Sequence, residues 1–369
     1  MIYLDYAANY PVKKEVLDAL CQAELSYRGN ANSLHLAGAQ AKEEYERVND
    51  RMYELLGLDK SEYEIIYTSS ATESNNTAIK GIYDAYSGFG SKILCSEFEH
   101  SSVNASLSYL KDRGAEITLL KTGPDGKMDL ADLKDKLNDE VILVCLALVE
   151  SEVGTIQDYK AVMEVLKDYP NAHFFLDATQ AIGKFDVDLS GVDLVSFTPH
   201  KFGGLIGTGV LVRKRSVILT PLLHGGKSAS LYRSGTIPLG LIVSTQKALE
   251  LAMNSKDENM KKVKVLHAAL MEGLSSIEGV TINSLPGNPY ITNISISGKL
   301  GGATVSYLSS KGICVSQKSA CSVPNTPSKP LMAIYHDKKR ALSSIRLSIS
   351  ELTTLDEISA VVSAIKEYR

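Results

Sequence analysis

The chain has 369 residues, 44% of them hydrophobic and 22% charged, with a formal net charge of −4. That length fits one large domain plus a smaller one, the composition is that of an ordinary soluble globular protein, and the acidic balance argues against a general nucleic-acid binder. The longest apolar run, 141–149, falls far short of the roughly 20 residues of a membrane span, the start lacks the pattern of a secretory signal, and five cysteines without a Cys-x-x-Cys read as reduced thiols of a cytoplasmic protein, with no disulfide framework and no metal site.

Residues 1–11 are expected to be extended, ending at Pro11, with a helix over Lys13–Tyr27. A loop of turn residues, Arg28–His35, precedes a long amphipathic helix from Leu36 to Leu56 that Gly57 closes. Strands and helices then alternate. Strands are expected at Tyr63–Thr68, Lys92–Cys95, Glu116–Leu120, Val141–Val149, His173–Leu176, Leu194–Phe197 and Gly207–Val212. Helices are expected at Thr72–Tyr86, Ser101–Arg113, Asp129–Leu137 and Tyr159–Lys167. This alternation predicts an α/β fold whose central sheet is mostly parallel and flanked by helices. After Pro238 two long helices, Leu239–Met253 and Asn259–Leu274, are expected to meet near Ser255. Short strands at 280–282, 291–296, 313–315 and 345–349 follow, with helices at 303–310 and 355–368. The chain is thus divided into a large domain, 12–255, and a smaller α+β domain, 256–369, with residues 1–11 packing alongside the latter.

Several stretches carry residues suited to chemistry. Val195–Gly209 leaves a buried strand, passes His200 and Lys201, and ends in a glycine-rich turn. A lysine held at its backbone but free at its amine is a candidate nucleophile toward carbonyls when desolvated. Ser69–Asn76 joins a strand to a helix. Its N–H groups and the Thr72 hydroxyl suit a phosphate, while Ser70 and Glu73 have the spacing of a capping box. His100 follows another strand end, where it could stack on a planar cofactor, move protons or be structural. Asp177 ends a hydrophobic strand at the sheet edge where α/β ligands bind. There it could keep a pyridine nitrogen protonated or cap a helix. Cys321 lies on a polar loop with Lys318 near, a setting that favours thiolate. Arg346, inside an apolar strand, needs a carboxylate partner and could grip a substrate carboxylate or serve a structural ion pair.

Taken in order, Tyr3–Ala8, Gly29–His35, Ala71–Asn76, Glu99–His100, Asp177–Gln180, His200–Lys201, Arg233–Thr236, Ser319–Cys321 and Ser343–Arg346 resemble the cysteine desulfurases of the class V aminotransferase family. The branch is the iron–sulfur-assembly type with a long cysteine loop. The resemblance runs nearly end to end. It implies fold type I of the pyridoxal-phosphate (PLP) enzymes and conversion of L-cysteine to alanine, with sulfur passed as a persulfide on Cys321 to an acceptor protein. It implies Lys201 as the Schiff-base lysine, Asp177 at the pyridine nitrogen, Gln180 at the ring hydroxyl and His100 stacked on the ring. Ala71, Thr72, Thr198 and His200 would bind the cofactor around its phosphate, with Thr236 reaching in from the other subunit of a homodimer. Arg346 and Asn32 would contact substrate. Glu150 and Ser151 stand where the family has two asparagines, the second of them contacting the cofactor. Lys227–Tyr232 and Gln317–Lys318 also depart from the pattern. A selenocysteine lyase, another PLP enzyme of this family, and a non-catalytic sulfur-transfer platform are the competing readings.

Overall fold

A computed structural model describes residues 1–226, 228–318 and 326–368. Its centre is a seven-stranded sheet in the order Tyr63–Thr68, Gly209–Lys214, Leu194–Phe197, His173–Asp177, Val141–Ala147, Lys92–Ser96 and Glu116–Leu120. Only Gly209–Lys214 runs antiparallel to its neighbours; the remaining pairings are parallel. The sequence explains the double-sided burial. Phe174 and Leu176 join one apolar cluster with Val144, Leu146 and Val195, while Phe175 between them joins another with Cys95, Cys145 and Leu211. Strands covered by helices on both faces need apolar side chains on both.

The long helix over Leu36–Leu56 forms as expected and ends on Gly57 at φ 65°, the left-handed conformation in which glycine carries no Cβ penalty. The two helices expected around residue 255 are instead one helix, Leu239–Ser275. The polar run at 255–259 contains neither glycine nor proline, and its side chains stay within the helix: the Ser255 hydroxyl donates to the Leu251 carbonyl, and Asn259 donates to the Ser255 oxygen. Two further helices, Lys329–Tyr335 and Lys338–Leu342, occupy a stretch where none was expected. The strand from Val141 ends at Ala147, short of the expected Val149, and the antiparallel strand begins at Gly209, after the expected Gly207.

Beyond the long helix lies an antiparallel sheet of Ser344–Ser348, Ile291–Ile296 and Val280–Ile282. Its cluster takes in Ile294, Ile345, Leu266 and Val361, together with Leu4 and Ala7 from the start of the chain. Ile2–Tyr3 pairs with Ile313–Cys314, and Ser348 N–H donates to the Leu4 carbonyl at 2.8 Å. The turn that follows reaches the large sheet, where Tyr10 N–H donates to the His200 carbonyl at 2.9 Å. Residues 5–10 therefore bridge the small sheet and the strand end that carries Lys201. No helix among the described residues is long and apolar enough to cross a membrane.

Candidate active site

The parallel strands end together at one edge, and the turns leaving them enclose a cavity of about 260 Å³. Ten of the residues singled out from the sequence line it: Ala71, Thr72, His100, Ser151, Asp177, Gln180, Thr198, His200, Lys201 and Arg346. This is the carboxyl edge at which ligands of open α/β sheets bind. Asn32 is exposed on its loop and Thr236 is exposed on another; neither lines this cavity. Thr236 borders adjacent hollows with Ser69 and Arg233. Cys321 and Lys227 lie outside the described residues.

At one end of the cavity the helix Ala71–Tyr86 begins. Ser70 and Glu73 form the capping box: the Ser70 hydroxyl accepts from Glu73 N–H at 3.1 Å, and the Glu73 carboxylate accepts from Ser69 N–H at 2.6 Å. The capping and anion-binding readings are compatible, because the box uses the N–H groups of Ser69 and Glu73 and leaves those of Ala71 and Thr72. The Thr72 hydroxyl makes no hydrogen bond among the described residues. Gly209 lets this turn approach the sheet: a Cβ there would lie 2.3 Å from the Ser70 carbonyl carbon. Opposite stand Thr198 and His200. The Thr198 hydroxyl donates to the Thr208 carbonyl at 2.7 Å and lies 2.9 Å from His200 Nδ1. With its one proton committed, Thr198 must accept from Nδ1–H, which fixes the tautomer of a neutral ring. Burial, with the charges of Lys201 and Lys184 adding to it, pulls the His200 pKa down to about 4. This end of the cavity thus offers the N–H groups of Ala71 and Thr72 and the Thr72 hydroxyl beside the Lys201 amine, with no carboxylate among the residues at that end, which suits a bound dianion.

At the other end Asp177, 6% exposed, accepts from Thr179 N–H and from the Asn75 amide, both at 3.0 Å. The same Asn75 nitrogen donates to the Ser102 hydroxyl at 2.9 Å, and that oxygen lies 2.8 Å from His100 Nδ1. One buried amide therefore ties the carboxylate to the imidazole. Burial lowers the His100 pKa, against the opposing pull of Asp177. Asn75 went unnoticed in the sequence. Its signal was present: Ser74, Asn75 and Thr77 are polar residues on the buried face of a helix.

Lys201 projects between these ends. Its amine donates to the Ala7 and Ala8 carbonyls at 2.9 and 2.7 Å. Ala7 also accepts from the Gln180 amide at 2.8 Å. Arg346 is 2% exposed and finds its carboxylate in Asp5, 2.8 Å away, while its other arm donates to the Ser151 carbonyl at 2.8 Å. Its Nε is buried with no partner among the described residues. Lys318, expected to sit by Cys321, donates to the Thr326 carbonyl and hydroxyl. The residues present fit a phosphate-bearing pyridine aldehyde. An amine stands between a carboxylate suited to the ring nitrogen and a donor-rich pocket suited to the phosphate.

The profile of the family described as Aminotransferase class-V matches residues 2–361. A cysteine desulfurase IscS of Buchnera aphidicola is 36% identical, the match covering 97% of this chain and 90% of the relative. A NifS/IcsS protein homolog of Lactobacillus delbrueckii is 35% identical over 100% of this chain and 97% of the relative. Among solved structures, a NifS-like protein superposes with a TM-score of 0.92 at 29% identity, covering 100% of this chain and 98% of that one. The chain belongs to the class-V aminotransferase family, and within it to the group that carries the NifS and IscS names.

Proposed function

We propose that this protein is a PLP-dependent cysteine desulfurase that converts L-cysteine to L-alanine and carries the sulfur as a persulfide on Cys321. The observation that supports this most is the convergence of the Lys201 amine, the Asp177 carboxylate and the Ala71–Thr72 helix start on one cavity. PLP, when bound, supplies an aldehyde for amine capture and a ring that stores negative charge. Lys201 would hold it covalently and, once released, take the proton from the substrate α-carbon. Asp177 would keep the ring nitrogen protonated, Gln180 would donate to the ring hydroxyl and His100 would cover the ring. Ala71 and Thr72 would donate to the phosphate, Thr198 would join them by turning its proton from the Thr208 carbonyl with His200 Nδ1–H behind it, and Ser151 would border the cofactor. Arg346 would take the substrate carboxylate, with Asn32 at the substrate side. A Cys321 thiolate would attack the substrate sulfur: a sulfur–sulfur bond forms, the carbon–sulfur bond breaks, and the carbon keeps the electron pair and is protonated to alanine. An acceptor protein or a thiol reductant then removes the sulfur.

We read the assembly as a cytoplasmic homodimer in which Thr236 serves the neighbouring subunit's site. The exposed apolar residues Leu34, Leu36, Ile206 and Leu231 support such an interface. The division into 12–255 and 256–369 with 1–11 alongside is supported by the cluster that Leu4 and Ala7 share with Ile294 and Ile345, although one helix crosses the boundary.

Borohydride added to the PLP-loaded protein should fix the cofactor on the Lys201 peptide. L-Cysteine with a dithiol should then give sulfide and alanine in equal amounts. Cys321→Ser should retain the cofactor and lose sulfide. A protein that PLP cannot colour, or full sulfide release by Cys321→Ser, would refute the assignment.

A further inference from the structure

Gln180 and Lys184 stand four residues apart on the turn that leaves the strand His173–Asp177. The Lys184 side chain points back toward the site rather than out to solvent, and the residue is 8% exposed. Its Nζ donates to Gln180 Oε1 at 3.1 Å and lies 5.9 Å from the Tyr290 ring centroid. No carboxylate among the described residues lies within ion-pairing distance of it. A buried lysine without a partner acid is a poor way to stabilise a fold. It sits between the cavity that holds Gln180 and a smaller hollow of about 30 Å³ lined by Tyr10, Lys184, Lys201 and Glu351. Burial, and then the positive charges of Lys201 and Arg346, bring its pKa down to about 7. It therefore lies within the electrostatic reach of the site.

Below about pH 7 Lys184 is an ammonium, which has donors only. A side-chain amide facing one must turn its oxygen toward it, which sends the nitrogen the opposite way. Gln180 obeys this: Oε1 meets Lys184, and Nε2 donates to the Ala7 carbonyl, the same oxygen that accepts from Lys201. The Ala7 carbonyl favours this orientation from one side and Lys184 from the other; without Lys184 one of the two supports is lost, and the reversed amide would turn a carbonyl toward the phenolic oxygen of the cofactor.

We propose that Lys184 is a positioning residue: from the buried side it fixes the polarity of the Gln180 amide, so that an N–H and not a carbonyl faces the ring oxygen of PLP. This rests on the PLP reading above, and it concerns Lys184 acting through Gln180, not contact with substrate.

The test is a double-mutant cycle of wild type, Lys184→Met, Gln180→Ala and the double variant. PLP affinity and the pH midpoint of the visible absorbance of the PLP-loaded protein are measured for each. Lys184→Met should weaken PLP binding roughly fivefold, about one hydrogen bond. It should also move the midpoint upward, because a donor on the ring oxygen and a cation behind it both disfavour protonation at the Lys201 linkage. In the Gln180→Ala background Lys184→Met should change the affinity no further. The unfolding midpoint of the cofactor-free Lys184→Met protein should be equal to or above wild type, since an apolar chain replaces an unpaired buried cation. Unchanged affinity and midpoint in Lys184→Met, or effects that add in the double variant, overturn the proposal while the PLP reading stands. Wild type that takes up no PLP overturns both.

Discussion

Asn75 offers the sharpest test of the polar network beneath the site. Asn75→Ala removes one nitrogen that makes two buried bonds, to Asp177 at 3.0 Å and to Ser102 at 2.9 Å. A hydrogen bond to a charged group contributes about 1.5–3 kcal/mol and one to a neutral hydroxyl about 0.5–1.5 kcal/mol. Against this, Asn75 Oδ1 is itself buried without a partner among the described residues, and removing it returns about 1 kcal/mol. The expected net loss is about 1–3.5 kcal/mol of unfolding free energy. Ser102→Ala, which breaks only the neutral link, should lose about 1 kcal/mol. Urea unfolding of the cofactor-free protein, followed by circular dichroism and extrapolated linearly, measures both. The same network gives a second readout: in either variant the His100 ring keeps the N–H of residue 102 but loses its link to Asp177, visible as a shifted imidazole titration. An Asn75→Ala protein within about 0.5 kcal/mol of wild type, or one no less stable than Ser102→Ala, would refute the claim that this amide holds the carboxylate and the imidazole together.

Two further outcomes are expected. Asp5→Ala strands the buried guanidinium of Arg346 on the Ser151 carbonyl alone. It should lower stability by about 3 kcal/mol and raise the KM for cysteine more than it lowers kcat; an unchanged KM would detach Arg346 from substrate binding. Glu99 is buried, with Oε2 unpartnered among the described residues. Burial, with the Asp177 charge adding to it, pushes its carboxyl from 4.5 up to about 7. Between those two values the folded protein holds a proton that the unfolded chain has lost, so this group makes stability fall as pH rises, and its full penalty applies above about pH 7. Glu99→Gln should therefore gain on wild type between about pH 5 and pH 8, by on the order of 3 kcal/mol; parallel pH profiles for the two proteins would sink the argument.

Much of the fold was legible because its signals are local. The strands His173–Asp177 and Leu194–Phe197 are short apolar runs between turn residues, and Gly57 closes its helix where a left-handed residue was needed. The helix break expected near Ser255 failed for an equally local reason: serine and asparagine can bond within a helix as well as end one, and here they do. The helices 329–335 and 338–342 were missed although Ser328 before Pro330, and Asp337, each cap one; at seven and five residues they show too little periodicity. The site was legible at its strand ends, where Asp177 and Lys201 arrive by topology. Its supports were not. Asp5 meets Arg346 across 341 positions, and no spacing rule reaches that far. Asn75 and Lys184 serve the site from behind, one as a polar residue on a buried helix face and the other as a lysine that sequence habit assigns to solvent.

The departure at residues 150 and 151 shows how a changed sequence can keep a site's geometry. Arg346 engages Ser151 through the backbone carbonyl, not the side chain, so any residue at 151 preserves that bond as long as the turn holds. The turn holds because the Glu150 carboxylate accepts the N–H groups of Glu152 and Val153 and Gly154 takes φ 87°, which a residue with a Cβ adopts only under strain. Glu150 thus does with a carboxyl group what a side-chain amide could do with its carbonyl. Burial, with the charge of Glu152 adding to it, pushes its pKa up to about 8. The side chain at 151 is left without a structural duty, and serine there withdraws an arm from the cavity wall where the resemblance expects asparagine. The substitution therefore bears on how much room the ligand has beside Val149 and Ala147, and not on whether Arg346 and Asp5 stay in place.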